Sequence, residues 1–236
     1  MAGALLTWDQ YVTRWSGLHG GVDPQARTPF LRAWLRLAYR VGRVLARLGV
    51  APATITVVGL LMCVLAPLVV RVRPLGPVAA AGFVVLSMVA DSADGAVAVL
   101  TNRVTRLGYV YDSVADRLGE VAWLVALGLL GAPVWLVVAA GAAAWLHEYL
   151  RARSTAAGMR EIGAVTVAER PSRALSAVAG LTLAGLAGLA DQRLAAGTAT
   201  LATAIWLLLG VIGLGQLVVA VNAALTRRPD DGDPGG

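Results

Sequence analysis

Long apolar stretches constrain the fold of this chain more than any other feature of its sequence. Six of them follow one another, and each is close to the roughly 20 residues that an α-helix needs to cross a bilayer. They cover residues 54–72, 76–99, 109–130, 132–150, 172–191 and 196–225. Hydrophobic residues make up 58% of the chain and charged residues 14%, unlike a soluble domain. The sequence therefore predicts an all-α polytopic membrane protein with six transmembrane helices.

The residues before the first apolar stretch predict a different kind of helix. Five arginines recur within residues 28–49 at steps of three and four: Arg32, Arg36, Arg40, Arg43 and Arg47. This spacing is typical of an amphipathic helix that lies in the headgroup region with its arginines toward lipid phosphates. A solvated helix flanking the first span is the alternative. Residues 1–27 form a separate N-terminal segment, and residues 226–236 are predicted to be a disordered cytoplasmic tail.

The distribution of arginines predicts the orientation in the membrane. With six spans, most arginines fall on the side of the two termini, and only Arg71, Arg73 and Arg193 fall on the opposite side. The positive-inside rule then places both termini in the cytoplasm. We expect the membrane to be the cytoplasmic membrane of a bacterium. A net charge of +6 indicates anionic lipid or phosphate partners rather than nucleic acid.

Four aspartates interrupt the apolar pattern on the predicted cytoplasmic side. Asp91 and Asp94 are i, i+3 neighbours, and Asp112 and Asp116 are i, i+4 neighbours, so each pair lies on one face of its helix. Carboxylates are costly in a membrane and usually mark a functional site. Such oxygens repel one another unless a cation such as Mg²⁺ or Mn²⁺ lies between them. Because that cation normally also binds substrate phosphates, the pattern predicts phosphoryl chemistry.

From Asp91 to Asp116 the sequence resembles the signature of the CDP-alcohol phosphatidyltransferases, D-x2-D-G-x2-A-R-x8-G-x3-D-x3-D. Every spacing agrees. The matching positions are Asp91, Asp94, Gly95, Ala98, Gly108, Asp112 and Asp116. Val99 stands where the family has arginine. By this resemblance residues 50–225 would form a six-helix phosphotransferase domain.

The resemblance implies a homodimeric enzyme of phospholipid synthesis. It would transfer a phosphatidyl group from a CDP-linked lipid, CDP-diacylglycerol, to the hydroxyl of a small phosphorylated alcohol and release CMP. Asp91, Asp94, Asp112 and Asp116 would bind two ions, Mg²⁺ or Mn²⁺, and Asp116 would also be the general base. The positions that would contact the CDP moiety are Ala53, Thr54, Ile55, Thr56, Gly95, Val99 and Thr105.

Three further positions would supply positive charge to the acceptor's phosphate, namely Arg151, Arg153 and Arg173. The alternative is that these arginines follow the positive-inside rule and have no substrate role. The branch of the family that contains phosphatidylinositol phosphate synthases has a small hydroxyl residue where this chain has Glu148. That branch also has an arginine in the last span, which this chain lacks near Gln216. The acceptor is therefore left open among glycerol phosphate, inositol phosphate, another polyol phosphate and a lipid alcohol.

Two other functions are compatible with intramembrane carboxylates. A divalent-cation or proton-coupled transporter would use them as an ion path. A catalytically silent paralogue would bind the CDP-lipid without turning it over, and Val99 is the sequence feature that points to it. CMP formation in detergent, without a gradient, separates the enzyme from both.

Overall fold

The computed structural model describes residues 5–18, 23, 28–72, 74–159 and 166–226. Within these ranges the chain forms eight α-helices and no strand. The helices are α1 (Trp8–Leu18), α2 (Pro29–Arg47), α3 (Pro52–Val69), α4 (Gly76–Leu100), α5 (Arg106–Leu129), α6 (Val134–Ala156), α7 (Arg170–Ala190) and α8 (Gln192–Thr226). The predicted tail lies outside the described residues apart from Thr226, and so does Arg73.

Helix α2 covers the segment predicted to be amphipathic. Its N-terminus is capped by Thr28, whose hydroxyl oxygen accepts a hydrogen bond from the Leu31 backbone N–H at 3.4 Å, and Pro29 takes the first helical position. One face is buried against α4 and includes Leu35, while the arginine face includes the exposed Arg36. The helix is thus present and two-faced, and its place in a headgroup layer stays a prediction.

All six predicted spans form helices, α3 to α8. By length and hydropathy four of them, α3, α4, α7 and α8, could cross a membrane. Helices α5 and α6 have 24 and 23 residues and carry several charged side chains along their length, which lowers their hydropathy. Membrane crossing by α5 and α6 therefore stays a prediction.

The main core lies where α3, α4, α5, α7 and α8 meet. The rings of Trp123 and Trp206 pack edge to face with centroids 6.4 Å apart, and both residues are fully buried. Helices α7 and α8 approach so closely that a Cβ added to Gly180 would lie 2.4 Å from the Cβ of Ala202. This tight contact fixes α7, whose first turn carries site residues, against the rest of the bundle.

Helix α1 was not predicted from the sequence. Tyr11 is buried against Tyr39 of α2, with ring centroids 5.3 Å apart, and the Tyr39 hydroxyl donates to the Leu6 carbonyl at 3.1 Å. Arg14 donates to the side-chain oxygen of Asn102, which has a left-handed φ of 55° just after α4. Helix α1 thereby covers the C-terminal end of α4.

Candidate active site

Three of the four predicted metal-binding carboxylates come together. One oxygen from each of Asp91, Asp112 and Asp116 lies within 4.8 Å of the others. The helical spacing places Asp112 and Asp116 on one face of α5, which turns this face toward Asp91 of α4. Oδ1 of Asp112 is buried and has no hydrogen-bond partner among the described residues. Three hard oxygen donors with an unsatisfied lone pair fit a divalent cation such as Mg²⁺ or Mn²⁺.

Asp94 lies beside this group but makes a different contact. It is 6% exposed, and its Oδ2 accepts a hydrogen bond from the Thr56 hydroxyl of α3 at 2.6 Å. This bond orients the carboxylate and joins α3 to the site. Of the predicted set of four, the structure therefore gathers three directly and places the fourth one helical turn from Asp91.

Arg170 is a site residue that the sequence reasoning did not select. From the first turn of α7 its guanidinium pairs with the carboxylate of Asp91, and its Nη2 lies 2.8 Å from Oδ1 of Asp116. The only sequence signal was its place in a short arginine-containing segment near Arg173. Spacing within that segment does not tell which arginine points at the carboxylates. Arg170 offsets the mutual repulsion of the clustered aspartates.

A large cavity of about 990 Å³ opens beside the carboxylates, between α1, α2, α3, α4 and α5. Asp91, Asp94 and Asp112 line one part of it, and many of its other walls are apolar, as at Leu35 and Leu118. Among the described residues that line the cavity, Arg103 is the basic one. The large cavity thus joins an apolar space to a cluster of oxygen ligands and one guanidinium.

Most of the predicted CDP-contacting positions lie on this cavity. They are Ala53, Thr56, Gly95, Val99 and Thr105. Thr54 is exposed outside the lining, and Ile55 is buried against α4 near Ala93 and Val97. Thr105 has a second task, because its hydroxyl oxygen accepts from the Gly108 N–H at 3.0 Å and caps α5.

Val99 has a structural role that explains an apolar residue at this position. It is 4% exposed and packs in a cluster with Tyr11 and Val12 of α1, Tyr39 of α2 and Leu100. Val99 also lines the large cavity, so the guanidinium of an arginine here would have to pass these aromatic and aliphatic side chains to reach that cavity. The departure from the family signature thus coincides with the helix that covers this end of α4.

The arginines predicted to bind the acceptor's phosphate are mostly engaged within the protein. Arg173 is 1% exposed, and it donates through Nε to Glu120 Oε1 at 2.9 Å and through Nη2 to Glu148 Oε1 at 3.1 Å. Arg151 donates through Nη2 to Glu169 Oε1 at 2.6 Å. Arg153 is exposed at the end of α6.

Arg117 completes this arrangement. Its Nη2 lies 3.0 Å from Glu120 Oε1 and 3.9 Å from Asp116 Oδ2, and its Nη1 lies 3.2 Å from Glu148 Oε1. Arg117, Glu120, Glu148 and Arg173 together form what we call the four-residue ion network. It begins next to the clustered carboxylates and reaches α6 and α7.

Comparison with known proteins agrees with this geometry. The family model described as CDP-alcohol phosphatidyltransferase matches residues 49–227. The chain is 32% identical over 210 residues to the phosphatidylinositol phosphate synthase of Mycobacterium marinum, covering 83% of this chain and 85% of that protein. It is 30% identical over 135 residues to the archaetidylinositol phosphate synthase of Pyrococcus horikoshii, covering 57% of this chain and 70% of that protein.

Two crystal structures of the Mycobacterium tuberculosis phosphatidylinositol phosphate synthase share the fold. The structure with CDP-DAG bound has a TM-score of 0.62 at 23% identity, covering 85% of this chain and 99% of that chain. The structure in complex with manganese and citrate has a TM-score of 0.63 at 22% identity, covering 84% of this chain and 93% of that chain.

Proposed function

We propose a function from the premise that this chain belongs to the CDP-alcohol phosphatidyltransferase family. In this function the chain moves a phosphatidyl group from CDP-diacylglycerol to the hydroxyl of a small alcohol and releases CMP. The observation that carries the proposal is the meeting of Asp91, Asp112 and Asp116 beside a large cavity with apolar walls. A cavity of this kind suits a lipid whose diphosphate must reach oxygen-bound metal.

Asp91, Asp112 and Asp116, with Asp94 alongside, would hold two divalent ions, Mg²⁺ or Mn²⁺. When bound, these ions neutralise charge on the diphosphate and on the departing CMP. The relatives support this choice, because one solved structure of the same fold contains manganese and another contains CDP-DAG.

Asp116 is the proposed general base. Its carboxylate takes the proton of the acceptor hydroxyl, and the acceptor oxygen forms a bond to the phosphorus that carries the diacylglycerol. The bond from that phosphorus to the CMP oxygen breaks, and CMP leaves with the electron pair. Arg170 contacts Asp116 at 2.8 Å and holds its carboxylate toward the cluster.

The large cavity is the proposed site of the donor. Gly95, Thr56 and Thr105 would lie along the CDP moiety, and Arg103 would face its diphosphate in place of the arginine that Val99 replaces. The apolar walls would take the first part of the acyl chains. We further propose that the site faces the cytoplasm of a bacterial cell, because the arginine-rich connections lie on its side. The homodimer that the resemblance implies stays a prediction.

The first experiment measures CMP release from CDP-diacylglycerol by the purified full chain in detergent, with a panel of alcohols and with Mg²⁺ or Mn²⁺. We expect release to require the metal, and Asp116→Asn to lower it by about 100-fold or more. Asp191→Asn, at the exposed start of α8, is the matched control and should retain activity. Turnover that survives in Asp116→Asn, or that persists after a chelator removes the metal, would overturn the proposal.

A further inference from the structure

We propose that the acceptor of this enzyme is an alcohol without a phosphate group. This inference rests on the proposed function and concerns its second substrate. It departs from the phosphorylated acceptor that the resemblance implies, because two of the three arginines predicted for that phosphate, Arg151 and Arg173, already have carboxylate partners.

The acceptor must approach Asp116, since its hydroxyl has to lie within hydrogen-bond reach of the general base. Asp116 does not belong to the described lining of the large cavity, and it contacts Arg170 and Arg117 instead. On this side the next charged groups are the carboxylates and guanidinium groups of the four-residue ion network. The network therefore sets the electrostatic surroundings of the acceptor.

The most central arginine of this region is closed to a ligand. Arg173 is 1% exposed and lies between Glu120 and Glu148, which accept its hydrogen bonds at 2.9 Å and 3.1 Å. Its Nη1 has no hydrogen-bond partner among the described residues but is buried, so a phosphate could reach Arg173 only by moving aside the carboxylate side chains around it. Removing one partner from a buried ion pair in this way is strongly unfavourable.

Among the described residues, the ion pairs of this region are balanced without a ligand. Arg117, Arg151 and Arg173 face three carboxylates, those of Glu120, Glu148 and Glu169. Glu148 is the accessible member of the ion network, with 32% of its side chain exposed, so an incoming phosphate meets a like charge first. A hydroxyl compound without charge meets hydrogen-bond acceptors there and no such repulsion.

Two other positions fit the same conclusion. Where the sequence lacks an arginine in the last span, Gln216 is engaged, because its side-chain oxygen accepts from the Val167 N–H at 3.0 Å. Arg153 is exposed, and among the described residues it has no ion-pair partner. A single solvated guanidinium contributes little to binding a dianion in competition with water.

The decisive experiment compares alcohols in matched pairs. The purified full chain is given labelled CDP-diacylglycerol, Mn²⁺ and one alcohol at a time, and both CMP and the lipid product are measured. The pairs of alcohols are glycerol and glycerol 3-phosphate, myo-inositol and its 1-phosphate, and serine and phosphoserine. We expect the unphosphorylated member of at least one pair to have a kcat/KM about tenfold or more above its phosphate. A preference for the phosphorylated member in every active pair overturns this inference and leaves the proposed function standing. CMP release with none of the alcohols overturns the proposed function itself.

A variant tests the cause of the preference. Glu148→Gln removes the exposed carboxylate and leaves one face of Arg117 and Arg173 without a counter-charge, so the ratio of kcat/KM for a phosphorylated to an unphosphorylated alcohol should rise about tenfold. Glu148→Asp keeps the charge and should keep the ratio. If Glu148 had only a structural role, Glu148→Gln would lower the activities with the phosphorylated and the unphosphorylated alcohol by the same factor. The ratio would then stay unchanged, which would count against the inference.

Discussion

Arg103 is the side chain whose role follows most directly from its position. It lines the large cavity, whereas Arg106, three residues on, is exposed outside that lining. We predict that Arg103→Ala raises the KM for CDP-diacylglycerol about tenfold and changes kcat less, because in the proposed donor site it would remove a charge that faces the diphosphate before and during the reaction. Arg106→Ala is the matched control. Equal effects of both substitutions on KM would contradict the assignment.

Thr56 has a supporting role that a near-isosteric substitution can isolate. Thr56→Val keeps the shape of the side chain and removes the hydrogen bond to Asp94 at 2.6 Å. We predict that the Mn²⁺ concentration for half-maximal CMP release rises about tenfold, since groups that orient metal ligands commonly contribute that much.

The neighbouring Thr54 offers a control on the same helix. Its side chain is exposed and away from the large cavity, so Thr54→Val should leave the metal requirement unchanged. If both valine variants behave alike, the Thr56 hydroxyl does not orient the site.

The aspartates show how far residue-level prediction reaches. Asp91, Asp112 and Asp116 could be predicted to meet because helical periodicity fixes which side chains share a face. Arg170 could not be predicted, since its contacts with Asp91 and Asp116 depend on how α7 docks against α4 and α5. Local spacing carries no information about that docking.

At the scale of whole helices, α1 accounts for the departure of this chain from the family signature. It packs Tyr11 and Val12 over Val99, at the end of α4. We predict that Val99→Arg, although it restores the signature, lowers the midpoint of thermal unfolding by about 5 °C or more, because a long charged side chain must pass through the apolar cluster that Val99 fills.

The size of the new side chain needs its own control. Val99→Met adds length without charge, and it should lower the unfolding midpoint by less than Val99→Arg does. If Val99→Arg were as stable as the parent and more active, α1 would not be the reason for the valine.

Helices α2 to α8 follow the predicted segments closely, because long apolar or amphipathic runs and prolines at the first turns mark them. Helix α1 is short, but Trp8, Tyr11, Val12 and Trp15 stand at i, i+3, i+4 and i+7, the spacing of an amphipathic helix, so its sequence carried a signal that the prediction did not use. Tertiary packing against α2 and α4 stabilises it.

For the whole molecule, the orientation in the membrane can be measured directly. The single cysteine, Cys63, is buried, so a new exposed cysteine can be labelled selectively. Ala157 follows the end of α6, and Asp191 lies between α7 and α8. The two positions therefore lie at opposite ends of α7, and each is replaced by cysteine in turn. We predict that a membrane-impermeant maleimide labels the Asp191→Cys variant in intact bacterial spheroplasts and the Ala157→Cys variant only after permeabilisation. The reverse pattern would place the active site outside the cell.

The sequence predicted the long helices α2 to α8, but not which of them touch. The close approach of α7 and α8 depends on Gly180 meeting Ala202, a pairing that many other small residues in these helices could have made. Packing of this kind is decided by three-dimensional fit and not by local pattern.

The apolar walls of the large cavity have a consequence for how the enzyme meets its donor. In the proposed function the donor is held by its acyl chains, so it would arrive by diffusion in two dimensions, within a single leaflet, and not through bulk water. The quantity that sets the rate is then the mole fraction of donor at the surface, so dilution with inert lipid or detergent slows the reaction even when the total amount of donor is constant. Under the same proposal the new lipid would be released into that leaflet, and its appearance in the other one would require a separate protein that moves lipids across the bilayer.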